Sequence, residues 1–146
     1  MAHFFTLEEA RECLPTVEKA IRAAVQAKTY YDQSDQAFQA LLQKIVMSGG
    51  ITVDRFAVEA MKSTRHSNGE RIQHAIEEIQ DLGCLIKDLD TGLVDFPTLF
   101  RGEEVYLCWR LGEPDIAYWH GVHEGVAGRR EIDRYFVENH QGSDPE

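Results

Sequence analysis

Lys87, Asp95, Arg110 and His120 are the residues of this chain whose types could do chemistry together. Strand alternation places all four on one side of a sheet. An imidazole and a carboxylate can share a proton or ligate a divalent metal, and lysine and arginine can hold a carboxylate or phosphate, arginine with two parallel bonds. Glu113, or Asp88, adds a further carboxylate. Asp95, Glu113 and His120 thus form a candidate metal set of a type that suits Zn, Mn, Fe or Ni. Arg129 joins the anion-binding candidates, because "GVAGRREI" (125–132) carries two glycines that let backbone N–H groups approach a ligand.

Other features bound this chemistry. Cys108 falls on the same face, where a nucleophile and a buried inert thiol are both open readings. His66, Glu70 and His74 recur at helical spacing, across the turn pair Asn68-Gly69. No HExxH, GxGxxG or P-loop pattern occurs, so no nucleotide is indicated. The sequence identifies no catalytic residue and no cofactor beyond a divalent metal. Among the three acids of "CLIKDLDTGLVDFP" (84–97), Asp90 reads as a turn former and Asp88 as a strand end, which leaves Asp95 aimed at a site.

The elements that must position these residues follow from period. "FTLEEARECLP" (5–15) opens with a capping box, Thr6 reaching the Glu9 N–H and Glu9 reaching back. Pro15 predicts a short first helix over 7–13, then a new helix with Pro15 in its first turn, or a kink. From Leu14 to Ile45 apolar residues alternate steps of three and four, the spacing of a helix packed lengthwise on another. Lys28 and Asp35 interrupt that seam, where polar residues set register or face water. "SGG" (48–50) stops the helix. A second helix is predicted from about Val53 to Leu82, continuous or broken at Asn68-Gly69.

After Gly83 the period becomes two. Cys84–Asp88, Leu93–Phe96, Glu104–Leu111 and Ile116–His120 read as strands joined by short turns. The predicted fold class is α+β: a long antiparallel helical hairpin followed by a four-stranded antiparallel β-meander packed on it. Residues 1–138 read as one domain, helical over 1–83 and sheet over 84–138. The polar tail 139–146 is expected to fray. One sheet face gathers Val94, Phe96, Leu107 and Trp109 as core; the other is the mixed face with Asp95, Cys108 and His120.

Of the 146 residues, 25 are acidic and 15 basic, a formal net charge of −10. Such a field repels nucleic acid and anionic membrane. No apolar run is long enough to span a bilayer, and the first residues lack the basic and apolar parts of a signal peptide. The expected location is the cytoplasm. The cysteines Cys13, Cys84 and Cys108 form no CxxC pair and read as free thiols in a reducing compartment.

The runs "KDLDTGLVDFP" and "VYLCWRLGE", then "WH" and "GRR", together with the N-terminal "FTLEEARECLP", resemble DUF2203, a family of small bacterial and archaeal proteins of unknown function. The resemblance singles out Lys87, Asp88, Asp95, Arg110, Glu113, His120 and Arg129 as the family's recurrent polar positions; His123 and Glu124 match no such motif. It implies no activity. Two functional expectations stand. One is a binding or assembly module, homo-oligomeric through the helical arm or the mixed sheet face. The other is a metal- or small-anion-binding protein, an enzyme in one form, centred on Lys87, Asp95, Arg110 and His120.

Overall fold

The structure is a computed structural model that describes residues 3–47, 49 and 55–143. Two helices, α1 (Leu7–Met47) and α2 (Arg55–Asp81), precede strands β1 (Leu85–Asp88), β2 (Leu93–Phe100), β3 (Glu103–Arg110) and β4 (Tyr118–Gly121). A two-residue strand β5 (Arg130–Glu131), a short helix α3 (Arg134–Asn139) and a strand β6 (His140–Gln141) complete the chain. Neighbouring strands in the path β1-β2-β3-β4-β5 are antiparallel, and β6 pairs with β2. The α+β fold and antiparallel sheet are those the periodicity predicts, with two strands more than the four expected. Both added strands have only two residues, too few to show an alternation.

The chain divides into two compact units, Met1–Arg22 with Ile76–Glu146, and Ala23–Ala75. In the first, α1 begins at the predicted capping box: the Glu9 N–H donates to Thr6 Oγ1 at 3.1 Å and the Thr6 N–H to Glu9 Oε1 at 3.3 Å. Pro15 does not end this helix, contrary to expectation. It lies on the exposed side while Ala10, Leu14, Val17 and Ile21 are buried on the other. Burial of that stripe outweighs the missing N–H bond, a loss of about 3 kcal/mol. The apolar sheet face forms as predicted, with Val94, Phe96, Leu107 and Trp109 fully buried and Phe5 edge-on to Phe96.

β2 continues through Pro97, past its predicted end. Pairing with β1 stops at Asp95, so the missing N–H of Pro97 faces no β1 partner, and its carbonyl accepts from the Phe5 N–H at 2.7 Å. The polar segment expected to fray is instead tied down as far as Ser143. Asp133 caps α3 by accepting from the Phe136 N–H, and Phe136 stacks on Phe100 and Trp119. His140 donates from Nδ1 to the Val137 carbonyl and accepts the Leu7 N–H at Nε2, 2.9 Å away.

In the second unit the two helices run antiparallel: Gly69 lies against Tyr31 and Arg65 against Asp35, so partners descend as α1 ascends. Of the two alternatives at Asn68-Gly69, the continuous helix is the one that forms. Asn68 is buried and its Nδ2 donates to the Thr64 carbonyl, a bond made inside the helix that replaces the turn bond. The seam anomaly has a partner, since Asp35 accepts from Arg65 Nη1 at 3.0 Å while Arg65 lies over the Phe38 ring. The "SGG" stop is described only at Gly49, a turn residue; Ser48, Gly50, Val53 and Asp54 lie outside the described residues. No helix among the described residues is long and apolar enough to cross a membrane.

Gly92 is required by its turn. Its φ is +70°, and a Cβ there would lie 2.6 Å from Leu111 Cβ and 3.1 Å from Ile21 Cγ2. Gly92→Ala combines a left-handed backbone penalty with overpacking, so it should lower stability by about 2–4 kcal/mol. Urea unfolding of the variant checks this: an unchanged midpoint would contradict the packing described.

Candidate metal site

The site is built on three strands. A two-residue turn, Arg101 (φ 54°) and Gly102 (φ 81°), joins β2 to β3 and sets their register. That register pairs Asp95 with Cys108, and β4 then pairs with β3 so that His120 faces Tyr106 and Tyr118 faces Cys108. The three side chains converge. His120 Nε2 lies 3.1 Å from both Asp95 oxygens, and one ligand atom each from Asp95, Cys108 and His120 fall within 4.8 Å of one another.

None of the three is at the surface: Asp95 and Cys108 are 0% exposed and His120 4%. The mixed sheet face is therefore buried at its centre. Burial pushes the Asp95 carboxyl above its ordinary value, against the pull of His120, the Cys108 thiol and Lys87. Burial, and then the neighbouring Asp95 charge, push the Cys108 thiol up to about 12. Such a thiol is not an activated nucleophile.

His120 has a defined orientation. Its Nδ1 lies 2.8 Å from the Gly121 carbonyl, which can only accept, so Nδ1 carries a proton. Nε2 then faces Asp95 across a proton held by one of the two groups. A histidine anchored in this way, with its other nitrogen turned toward an acid and a thiol, has the orientation found in metal ligands. At ligand distances of about 2.0–2.3 Å, tetrahedral coordination separates ligand atoms by about 3.3–3.8 Å. His120 Nε2 and the Asp95 oxygens, 3.1 Å apart, are near that range, and the 4.8 Å limit on the three exceeds it, so the side chains would close in on an ion.

Around the triad lie the other predicted residues, in different roles. Lys87 is the extra residue where the β1–β2 register shifts, and its Nζ sits 4.8 Å over the Tyr106 ring. Arg129 stacks 4.1 Å over Tyr118, and its Nη2 donates to the Cys108 carbonyl and to Glu113 Oε1. Glu113 was expected as the third metal ligand; it is instead engaged by Arg129 at 2.6 Å and by the Arg110 backbone N–H, also at 2.6 Å. Asp88 accepts from the Asp90 N–H and Thr91 hydroxyl, which makes it a turn residue. His123 is exposed, and Glu124 pairs with Arg130. On α2, His66 and Glu70 form an exposed pair 3.0 Å apart, and the Asp95 cluster is the one metal-compatible group among the described residues. Cys108 is the member of the cluster that sequence reasoning did not put among the candidate ligands. Its signal was the two-residue turn, since residues equally distant from 101 and 102 must pair.

Fold and site together define an α+β protein with a buried cluster of one carboxylate, one thiol and one imidazole. A family model described as an uncharacterized conserved protein (DUF2203) matches residues 3–132, and the chain belongs to that family. Comparison with curated proteins and with solved structures found no match.

The raised Asp95 value has a consequence for stability. Unfolded, this carboxyl titrates near pH 4. Folded, it keeps its proton to higher pH, so the folded state binds more protons just above that value. Stability contributed by this group must then fall as pH rises from about 4 through the raised value. Metal-free protein should lose stability against Asp95→Asn over that window, measured by denaturant unfolding in chelator. Parallel pH profiles would contradict it.

Proposed function

We propose that this protein binds a transition-metal ion, zinc being the best match, through Asp95 Oδ, Cys108 Sγ and His120 Nε2. The observation that carries this reading is the convergence of three different ligand types inside 4.8 Å, all buried. Burying a carboxylate beside a thiol is unfavourable even with His120 against it, since burial still raises the Asp95 value, and a dication ligated by both offsets that cost. Mixed nitrogen, oxygen and sulfur donors favour zinc and similar ions over calcium or magnesium. Three protein ligands leave a fourth position open, as sites that act on a ligand do.

Uptake displaces protons. The thiol must give up its hydrogen, and the proton between Asp95 and His120 must leave, so zinc binding should release about two protons per ion and tighten as pH rises. Native mass spectrometry of chelator-treated, zinc-titrated protein should show one ion per chain. Cys108→Ser and His120→Ala should weaken uptake at least about tenfold while keeping the fold by circular dichroism. Calorimetry in two buffers of different ionisation enthalpy counts the protons. A wild-type chain that takes up no ion would overturn the reading.

Self-association through the helical arm is a second proposal, favoured by Leu42, Val46 and Met47 standing exposed near the end of α1. The same native spectrum reads the assembly mass. We place the protein in the cytoplasm, where three free thiols stay reduced.

A further inference from the structure

The face that holds the triad carries three cationic side chains within an acidic protein. Formal net charge is −10, yet Lys87, Arg110 and Arg129 all gather on this one face. Two of them are held by aromatic rings whose strand partners are site residues: Tyr106 pairs with His120 and carries Lys87, and Tyr118 pairs with Cys108 and carries Arg129. Among the described residues Glu113 is the one carboxylate bonded to any of the three. Glu104 and Glu131, exposed on the same face, are bonded to none of them.

The guanidinium groups are also incompletely used. The Nε atoms of Arg110 and Arg129 are buried and have no protein acceptor among the described residues. Buried N–H donors of charged groups nearly always have a partner, so two such donors on one face ask for an acceptor from outside the chain. Water or the oxygen of an oxyanion could serve either. Charge points the same way. A zinc ion bound by a thiolate, a carboxylate and a neutral imidazole is formally neutral, so it would leave the Lys87 and Arg110 side chains on this rim still without a bonded carboxylate among the described residues.

We infer that this rim binds a small oxyanion, a carboxylate or a phosphate, which takes the fourth position on the metal; its location there rests on the proposed metal site. Arg110 is the residue to test, because Arg129 already has a structural carboxylate partner. Inorganic phosphate and acetate are titrated calorimetrically into zinc-loaded and chelator-treated protein, for wild type, Arg110→Gln and Arg110→Lys. Thermal unfolding checks that both variants fold, and metal analysis checks that they keep zinc. Zinc-loaded wild type should bind one of the two anions, and the preferred anion says which class the site takes. Arg110→Gln should weaken binding at least about tenfold; Arg110→Lys, which keeps charge without the fork, should fall between. Anion binding by metal-free protein that still depends on Arg110 would support the rim and overturn the anion's placement on the metal. Zinc-loaded wild type that binds neither anion, or Arg110→Gln that binds as wild type does, would overturn the inference with the metal site intact.

Discussion

Burial of the Asp95 carboxylate is the constraint on which the rest of the sheet depends. A carboxylate withdrawn from water needs compensating partners, and here they come from two neighbouring strands: His120 on β4 and Cys108 on β3. Both partners arrive only in one register. A slip of one residue between β2 and β3 would turn Asp95 into the apolar face and bring Val94 and Phe96 out. The tight turn at Arg101 and Gly102 therefore does more than reverse the chain. Arg101 accepts a left-handed backbone, a conformation costing about 1–2 kcal/mol for a residue with a Cβ, and the two-residue loop that results locks Asp95 opposite Cys108.

The surroundings of the triad follow from the same arrangement. Tyr106 and Tyr118 are the strand partners of His120 and Cys108, and they hold Lys87 and Arg129 over the site by their ring faces. Glu113 accepts the Arg110 backbone N–H and the Arg129 side chain, which ties the loop after β3 to the segment that leads into β5. On the opposite face, Phe5, Phe96, Leu107 and Trp109 make the apolar layer, and α3 closes one end by stacking Phe136 on Trp119. The helical unit answers a different need. Its seam ion pair between Asp35 and Arg65 fixes how the two helices align, a role that polar seam residues perform in coiled coils.

Much of this is written in local pattern, and what is not has a physical cause. The capping box at Thr6 and Glu9, the two sheet faces and the side on which Asp95, Cys108 and His120 lie all follow from spacing, because periods of 3.6 and 2 act on neighbouring residues. Pro15 misleads, and Asn68-Gly69 leaves two alternatives open, for one reason: local breakers are overruled by burial of Val17 and Ile21 in one case and by the Asn68 bond to Thr64 in the other. Glu113 misleads as a ligand because its partner, Arg129, lies sixteen residues away across a connection whose path carries no period. The depth of the site was not legible at all. Strand alternation says which face a residue is on, whereas Arg129 and Tyr118 lying over Cys108 is a tertiary fact.

The most direct test of the account is electronic spectroscopy of the cobalt-substituted protein. Cobalt(II) enters sites of zinc type and reports its ligands. Binding at Asp95, Cys108 and His120 predicts intense visible bands of a four-coordinate ion and a near-ultraviolet sulfur-to-cobalt charge-transfer band. Cys108→Ser should lose the charge-transfer band while the visible bands shift. A chain that binds cobalt with no sulfur band, or with one that survives Cys108→Ser, would contradict the site described here.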